Sequence, residues 1–203
     1  MRKLYIVGCS GHGKVAADIA VKTGKYDEIC FLDDNPKSEF CMQFPVVGNS
    51  RYEGISTEDE VFIAIGNPQI REKLMGQYEA AGFNLATLIH PDAVIGMNVK
   101  IGRGTVVMAG AVINPGTEVG NGVIINTCSS VDLDCEVSDY VHVAVGSHLC
   151  GTVTVGHGTW IGAGVTVSNN VYICPDCVIG AGAVVVHDIL ENGTYIGIPA
   201  KRL

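Results

Sequence analysis

The sequence is poor in aromatic residues and in charge, and it has no long apolar run. Only 6% of its 203 residues are aromatic, 17% are charged, and one tryptophan is present. About 18 apolar residues are needed to span a membrane, and the first apolar run, residues 4–7, is too short even for a signal peptide. We therefore expect a cytoplasmic chain with no membrane partner.

Positive charge is also scarce. Lys and Arg number 13 against 21 Asp and Glu, which gives a formal net charge of −8 and a pI near 5.1. Binding to a nucleic-acid backbone requires a dense Lys and Arg surface. The charge balance therefore predicts no nucleic-acid partner.

Glycine and cysteine, by contrast, are frequent. The 26 glycines are nearly twice the usual fraction and predict many tight turns around a core of small aliphatic side chains. In a reducing compartment the eight cysteines would be free thiols, most of them buried. Cys174 and Cys177 form a CxxC pair, but zinc needs four ligands and a second such pair is absent. We predict no metal site.

The first half of the chain alternates strand and helix patterns. Apolar runs predict strands over residues 3–8, 29–32 and 61–65, and apolar spacing predicts a helix over residues 14–22. The alternation predicts a parallel α/β domain over residues 1–85. No element is assigned to the turn-rich segment from 36 to 60.

A second helix in this half is marked by its start and stop signals. Asn67 followed by Pro68 matches an N-cap with proline at the first helical position. Ile70, Leu74 and Tyr78 fall on one face, and glycine at 82 follows the end. These signals predict a second helix in the α/β domain.

From residue 89 onward, every sixth residue is Ile, Val or Leu. The run has seventeen members: Ile89, Ile95, Ile101, Val107, Ile113, Val119, Ile125, Val131, Val137, Val143, Leu149, Val155, Ile161, Val167, Ile173, Ile179 and Val185. Four residues after each, from Val99 to Ala183, lies a small Val, Ala, Thr, Ser or Cys. A period of six fits the hexapeptide repeat of a parallel β-helix and fits no α-helix or coiled coil. The repeat predicts a three-sided β-helix over residues 86–203 with these residues inside and no long inserted loop.

Nine repeats carry Gly, Asn or Asp directly after the aliphatic residue. These residue types tolerate a positive φ angle. The pattern predicts that these nine positions form the corners between strands: Gly96, Gly102, Asn114, Gly120, Asn126, Asp132, Gly156, Gly162 and Gly180.

A glycine-rich turn, residues 8–13, joins the first strand to the first helix. This arrangement presents backbone N–H groups and a helix dipole to a phosphate. Asp33 and Asp34 end the second strand about 20 residues later, where a carboxylate can accept hydrogen bonds from ribose hydroxyls. A turn with solvent-facing aspartates is the alternative, since the spacing is not GxGxxG. We predict a nucleotide site.

These features together resemble a known family. The markers are Gly8-Cys9-Ser10-Gly11-His12-Gly13-Lys14, Phe31-Leu32-Asp33-Asp34, Phe62-Ile63-Ala64-Ile65-Gly66-Asn67, Leu88-Ile89-His90, Asn126-Thr127, Val131-Asp132-Leu133-Asp134-Cys135 and Gly197-Ile198-Pro199-Ala200-Lys201. Nearly the whole chain resembles the sialic-acid O-acetyltransferase and UDP-4-amino-sugar N-acetyltransferase family. There, a Rossmann-like nucleotide-binding domain precedes a left-handed β-helix.

The resemblance implies an activity and an assembly. It implies acetyl transfer from acetyl-CoA to the amine of a UDP-linked amino sugar in surface-glycan biosynthesis, by a homotrimer with acetyl-CoA sites between neighbouring β-helices. O-acetylation of a sialic acid or a related sugar is the near alternative. A nucleotide-sugar-binding homologue without activity and an NAD-dependent oxidoreductase are alternatives from other classes.

The resemblance also implies site residues. For the sugar nucleotide these are Ser10, Gly11, His12, Asp33, Asp34, Gly66 and Asn67. For acetyl-CoA they are His142, Ala163 and Ala181, and the charge pattern adds Lys201 and Arg202 as candidates for the phosphates. Residues 89–188 include only two basic residues and eight acidic ones, so general electrostatic attraction cannot hold CoA there. Its phosphates therefore need such local contacts.

The position of the family's general base is occupied by leucine. In the family, a histidine flanked by acidic residues takes a proton from the acceptor; here Leu133 stands there, between Asp132 and Asp134. His142 matches the residue that contacts the thioester. Three explanations stay open: His142 or an aspartate takes the proton, the amine needs little assistance, or the chain is impaired or only binds.

The other histidines have simpler interpretations. We expect His90, His148, His157 and His187 to be solvated on the outside of the β-helix. A zinc site of the carbonic-anhydrase type could use His142, His148 and His157, but the spacing does not favour it.

Overall fold

The structure, a computed structural model that describes residues 2–203, divides into two units. The first ends at Pro91, and the second runs from Asp92 to Leu203. The boundary expected from the sequence, after residue 85, precedes a short strand at Leu88–Ile89 that the structure assigns to the first unit. Among the described residues, no helix is long and apolar enough to cross a membrane.

Unit 1 is an α/β sheet with two helices, as the strand and helix alternation predicts. In chain order its elements are β1 (Lys3–Val7), α1 (Gly11–Thr23), β2 (Glu28–Leu32), β3 (Phe40–Cys41), β4 (Phe44–Gly48), β5 (Glu60–Ile63), α2 (Pro68–Ala80), β6 (Asn84–Leu85) and β7 (Leu88–Ile89). The sheet order is β3-β4-β2-β1-β5-β6, and β1 pairs in parallel with both β2 and β5. The segment left without an element forms the β3–β4 hairpin.

Helix α2 starts as predicted, and of its three apolar positions Ile70, Leu74 and Tyr78 only Tyr78 is buried. The Asn67 side chain accepts a hydrogen bond from Ile70 N at 2.9 Å, which caps the helix. Ile70 is 50% exposed, however, and Arg71, Met75 and Tyr78 are buried. Arg71 can be buried at little cost because its guanidinium Nη1 donates to the carbonyls of residues 65 and 66 at 2.8 Å.

Unit 2 is a parallel β-helix of the left-handed type, which confirms the fold predicted from the six-residue period. Its strands are β8 (Val94–Ile95), β9 (Lys100–Ile101), β10 (Val106–Val107), β11 (Val112–Ile113), β12 (Glu118–Val119), β13 (Ile124–Ile125), β14 (Ser130–Val131), β15 (Glu136–Val137), β16 (His142–Val143), β17 (His148–Leu149), β18 (Thr154–Val155), β19 (Trp160–Ile161), β20 (Thr166–Val167), β21 (Tyr172–Ile173), β22 (Val178–Ile179), β23 (Val184–Val185), β24 (Thr194–Ile196) and β25 (Lys201–Arg202). No long loop interrupts the repeat between β8 and β23, as expected.

The strands form three faces, which the chain visits in turn. Face A contains β8, β11, β14, β17, β20 and β23; face B contains β9, β12, β15, β18 and β21; face C contains β10, β13, β16, β19, β22, β24 and β25. Residues directly above one another are eighteen positions apart, as in the pairing of Ile124 with His142 and of His142 with Trp160. Each corner therefore lies opposite one face.

The inside of unit 2 is filled as the repeat predicts. From Val107 to Val185 the aliphatic residues are buried, whereas Ile95, near the start of the unit, is 37% exposed. The small residues four positions later are buried too. The hydroxyl of each Thr or Ser among them donates a hydrogen bond to a backbone carbonyl: Thr105 to Gly120, Thr117 to Asp132, Ser129 to Asn126, Ser147 to Gly162 and Thr159 to Cys174. These bonds make burial of a hydroxyl tolerable.

The corners turn at a different position from the one expected. Positive φ angles occur three residues after the aliphatic, for example at Asn98, Cys128 and Asp134, and not at the nine positions directly after it. Glycine is needed at some of those nine because the next coil passes close by. A Cβ atom at Gly102 would lie 2.4 Å from the backbone of Gly120.

Candidate functional site

The carboxyl ends of β1, β2 and β5 meet at one edge of unit 1. Gly8 N donates to Leu32 O, and Ala64 N donates to Val7 O, both at 2.8 Å. The chain leaves β1 first for β2 on one side and later for β5 on the other. Such a switch point is where open α/β sheets bind their ligands.

The glycine turn brings the start of α1 to this edge. Gly8 has φ of 107°, and a Cβ atom at Gly13 would lie 1.9 Å from Gly8 O. Helix α1 can therefore begin against the end of β1 only with glycine at both positions. Ser10 and Gly11 are exposed at the helix start, where N–H groups lack intrahelical partners and attract anions.

Both aspartates at the end of β2 are bound to the protein's own donors. Asp33 accepts hydrogen bonds from Cys9 N at 2.7 Å and Asn35 N at 2.8 Å. Asp34 accepts from Ser50 N at 2.8 Å and Ser50 Oγ at 3.1 Å. The bond from the Ser50 backbone holds the pKa of Asp34 below its usual range. Since each carboxylate has about four acceptor positions, both can still accept from a ligand. Sequence reasoning missed Ser50, which lies in the segment it left unassigned.

Two cavities adjoin these aspartates. One, of about 410 Å³, is lined by Cys9, Ser10, Gly11, Lys14, Asp33, Asn35 and Lys37. The other, of about 570 Å³, shares Asp33 and Lys37 and extends along β4 to Asn49. Their volumes are those of small-molecule sites. Two lysines and a helix start in one cavity suit a negatively charged group.

The remaining predicted residues of unit 1 serve the framework. His12 packs edge-on against Phe62, with ring centroids 6.0 Å apart, and its Nε2 is buried without a hydrogen-bond partner in the described chain. Burial, followed by the nearby charge of Arg71, lowers the pKa of His12 to about 4. Its ring is therefore neutral at physiological pH. The Asn67 side chain caps α2, and the carbonyl of Gly66 accepts from Arg71.

In unit 2, His142 belongs to a cluster of three side chains on face C. Its Nε2 lies 3.1 Å from Asn126 Nδ2, and its ring stacks on Trp160 with centroids 5.7 Å apart and planes within 5° of parallel. Sequence reasoning used Asn126 as a family marker without giving its side chain a role, and it did not single out Trp160. The eighteen-residue spacing from His142 to Trp160 is the signal that could have found the stack.

The other predicted catalytic residues lie elsewhere in the unit. Leu133, 47% exposed, follows β14 and lies at the corner between faces A and B. Beside it, Asp132 Oδ1 accepts from Asn114 Nδ2 at 2.6 Å and from Leu133 N at 2.9 Å. In a three-sided helix this corner lies opposite face C, where His142 is. One chain therefore does not bring Leu133 and its neighbours Asp132 and Asp134 together with His142.

Ala163 and Ala181 lie at the corner between faces C and A. They are exposed and stacked one coil apart, and Gly182 N donates to Ala163 O at 2.9 Å. Val145, 50% exposed, is one coil away on the other side of Ala163. Together they form an uncharged stripe of small side chains beside face C. Lys201 is exposed on β25, while Arg202 is bound to the carboxylate of Glu191.

The histidines considered for a zinc site lie apart from one another, and the two cysteines of the CxxC pair are close. His148 is on face A with Nδ1 2.8 Å from Ser130 Oγ, His157 lies at another corner against Tyr140, and within residues 2–203 no metal-ligating group of three is found. The Cys174 and Cys177 sulfurs are 3.5 Å apart, and burial raises the pKa of Cys177 to about 12. Protonated buried thiols are unreactive. His90 is buried, so the expectation that it is solvated was wrong.

Comparison with known proteins gives two domain matches. The PglD N-terminal domain matches residues 3–78, and the bacterial transferase hexapeptide model, of six repeats, matches residues 152–187. These ranges fall in unit 1 and unit 2 respectively. Both predicted halves of the chain thus have a counterpart among known domains.

Two similar proteins are N-acetyltransferases of nucleotide-linked sugars. GDP-perosamine N-acetyltransferase of Escherichia coli O157:H7 is 30% identical over 183 residues, 87% of this chain and 82% of its own. UDP-N-acetylbacillosamine N-acetyltransferase of Bacillus subtilis (strain 168) is 32% identical over 113 residues, 54% of this chain and about half (52%) of that relative.

A solved structure matches over the full length. The acetyltransferase domain of PglB from Neisseria gonorrhoeae FA1090, in complex with acetyl coenzyme A, is 40% identical with a TM-score of 0.97 and covers 100% of this chain and 99% of its own. The chain therefore belongs to the hexapeptide acyltransferase family of the sialic-acid O-acetyltransferases and UDP-4-amino-sugar N-acetyltransferases.

Proposed function

We propose that the protein transfers the acetyl group of acetyl-CoA to the amine of a nucleotide-linked amino sugar, with UDP as the nucleotide. The observation that supports the proposal is the cavity at the switch point of unit 1. There, the start of α1 and two lysines border a cavity whose rim holds Asp33. Such a site suits the diphosphate and ribose of a sugar nucleotide and is more than a free sugar needs.

Unit 2 supports the acetyl-transfer half of the proposal. The stripe of Val145, Ala163 and Ala181 is exposed, uncharged and narrow, which suits an extended pantetheine chain beside His142. Lys201 would meet the adenosine phosphates. The relative from Neisseria gonorrhoeae supports acetyl-CoA as the donor, since its structure is a complex with acetyl coenzyme A.

We choose UDP over GDP because the family resemblance and one of the two relatives point to a UDP sugar. The Bacillus subtilis relative is named for a UDP sugar and the Escherichia coli relative for a GDP sugar. Calorimetric titration with UDP and with GDP separates these possibilities. We expect UDP to bind at least tenfold more tightly, and tighter binding of GDP would correct the nucleotide while leaving the class of reaction unchanged.

A homotrimer would complete the site. Outward side chains on face B include Lys100, Glu118 and Glu136, whereas the parallel strands of faces A and C, as far as the structure describes them, present no Lys, Arg, Asp or Glu outward. Uncharged faces are suited to subunit contact. Because Leu133 and His142 lie on opposite sides of one β-helix, a site using both needs two subunits.

The trimer can be tested by adding charge to matched threonines. Thr166 on face A and Thr154 on face B are both partly buried and both precede an inward valine. We expect Thr166→Arg to dissociate the trimer and Thr154→Arg to leave it intact, as measured by light scattering after size-exclusion chromatography. A monomeric parent protein would contradict the proposal of a shared site.

The activity itself is tested by thiol release. The protein is mixed with acetyl-CoA and a UDP-linked 4-amino sugar, and free CoA is followed with a thiol reagent beside a thermal-shift panel of UDP, CMP-sialic acid and NAD. Release that depends on the amino sugar supports the proposal. Release with a sialic acid instead would indicate O-acetylation.

A binding homologue is the second candidate because leucine stands at position 133. It predicts stabilisation by UDP without release of thiol under any condition. Stabilisation by NAD alone would support the oxidoreductase alternative and contradict both.

A further inference from the structure

The amide of Asn126 determines which nitrogen of His142 can carry a proton. Asn126 Oδ1 lies 2.8 Å from Thr127 N, and a backbone N–H can only donate, so the atom facing Thr127 is the oxygen. The other end of the amide, the NH2 group, therefore faces His142 Nε2 at 3.1 Å.

An amide NH2 group only donates, so His142 Nε2 must accept through its lone pair. In the neutral imidazole the proton is then on Nδ1. A proton on Nε2 would point at the protons of Asn126 and break this bond. The ring is also held in plane by the parallel stack on Trp160. Across the sheet, His142 pairs with Ile124 on β13 and with Trp160 on β19, and neither side chain titrates near neutral pH.

We propose that Asn126 is a positioning residue that holds His142 as the Nδ1–H tautomer, so that His142 donates a hydrogen bond and takes no proton during acetyl transfer. The statement about the reaction rests on the proposed function; the statement about the tautomer does not. Of the three explanations for Leu133, this one selects an amine that reacts without a histidine base.

The acetyl transfer then proceeds with His142 unchanged. The lone pair of the neutral amine attacks the thioester carbon, a C–N bond forms, and the carbonyl electron pair moves to oxygen. The Nδ1–H of His142 stabilises this oxyanion as a fixed donor. As the carbonyl re-forms, the C–S bond breaks and CoA leaves as a thiolate. The extra proton on nitrogen passes to the thiolate or to water, which yields the amide and CoA thiol.

The tautomer can be measured directly in the full-length protein. Imidazole-15N histidine labelling with a long-range proton–nitrogen NMR spectrum shows which nitrogen carries the proton, and His142→Gln assigns the signal. We expect a protonated Nδ1 and a bare Nε2 at neutral pH. A proton on Nε2 in the parent protein would overturn the proposal.

Substitution of Asn126 should reverse the tautomer. In Asn126→Asp the carboxylate can only accept, so the proton should move to His142 Nε2. Asn170→Asp makes the same change of charge at a corner between faces A and B, away from face C, and should leave the spectrum of His142 as in the parent. An unchanged His142 tautomer in Asn126→Asp would refute the role of Asn126.

Comparison of kcat with KM distinguishes a role of Asn126 in positioning His142 from a purely structural role. Loss of one oxyanion donor lowers kcat by about 10²–10³-fold, so we expect this loss in Asn126→Asp with the KM for acetyl-CoA within about twofold of the parent. The parent kcat/KM should follow only the ionisation of the substrate amine. A further ionisation that disappears in His142→Gln would make His142 the base and contradict the proposal.

The proposed acetyl transfer and the inference about Asn126 can be refuted independently of each other. A parent protein with a protonated Nδ1 but no acetyl transfer to any amino-sugar nucleotide would remove the proposed function and support the inference about Asn126. Acetyl transfer with a protonated Nε2 would support the function and remove the inference.

Discussion

A methyl group added at Gly13 should destabilise the protein although it favours the helix. An ideal Cβ atom there would lie 1.9 Å from Gly8 O and 3.1 Å from Phe31 Cε1. The oxygen belongs to a backbone turn whose N–H is bound to Leu32 O, so it cannot move without loosening the end of β1. Gly76 in α2 is the matched control, since no described heavy atom lies within 4 Å of its ideal Cβ.

The two substitutions should change stability in opposite directions. Alanine is favoured over glycine inside a helix by about 1 kcal/mol, which applies to both positions. At Gly13 the clash is with backbone, and overpacking costs about 1–3 kcal/mol or more. We therefore expect Gly76→Ala to gain up to about 1 kcal/mol, and Gly13→Ala to lose up to about 2 kcal/mol net of its propensity gain.

Thermal unfolding followed by circular dichroism can resolve this difference. The propensity gain is common to both variants, so they differ by the overpacking cost of about 1–3 kcal/mol. For a chain of this size, 1 kcal/mol shifts Tm by about 2–4 °C, so Gly13→Ala should melt about 2–12 °C below Gly76→Ala. Gly13→Ala should also bind UDP at least tenfold more weakly, because the start of α1 must move. If Gly13→Ala melted at or above Gly76→Ala, the close approach of α1 to the glycine turn would be wrong.

Three further substitutions test other parts of the argument. Replacing Asp33 and Asp34 together with alanine should weaken UDP-sugar binding by roughly ten- to a hundredfold per lost contact in calorimetry, with acetyl-CoA affinity unchanged. His12 has a pKa of about 4 in the fold and near 6.5 when unfolded, so the folded state binds fewer protons between these values. The free energy of unfolding should therefore fall, by up to about 1.4 kcal/mol per pH unit, as pH drops from about 6.5 to about 4. Denaturant titrations of His12→Phe should lack this slope. Leu133→His, placed between two aspartates, should raise kcat by about ten- to a thousandfold in the thiol-release assay, within the range of general-base effects.

Each of these substitutions has a matched control. Replacement of the exposed Asp18 by alanine should leave UDP binding unchanged. The His148→Phe variant, which loses an exposed imidazole, should keep the acid slope of the parent. Met97→His adds an imidazole at an exposed residue without flanking aspartates and should not raise kcat. An effect of Met97→His equal to that of Leu133→His would show that position 133 is not special.

The sequence by itself determined the architecture of both units. The β-helix follows from a local rule, because an aliphatic residue at every sixth position can be buried only if the chain turns after each short strand. Fourteen members of the run, from Val107 to Val185, are buried accordingly. The glycine turn and the aspartates after β2 were also readable, since strand ends in a parallel sheet meet at one edge.

Contacts between coils and between distant segments were decided only by the tertiary structure. The sequence placed the corner turns at residues such as Gly102, but the structure shows that this glycine is needed for the passage of Gly120 on the next coil. Arg71 is buried on α2 because its guanidinium finds two carbonyl partners in the loop before the helix. No local pattern reports such partners.

The candidate catalytic residues show the same division. The family resemblance assigned Asp132, Leu133, Asp134 and His142 to a catalytic site, which it placed between subunits. Folding into a three-sided helix puts Leu133 at a corner opposite the face of His142 and instead brings His142 to Asn126 and Trp160. The reason is geometric: eighteen residues complete one coil, so residues nine apart fall on opposite sides while residues eighteen apart are stacked.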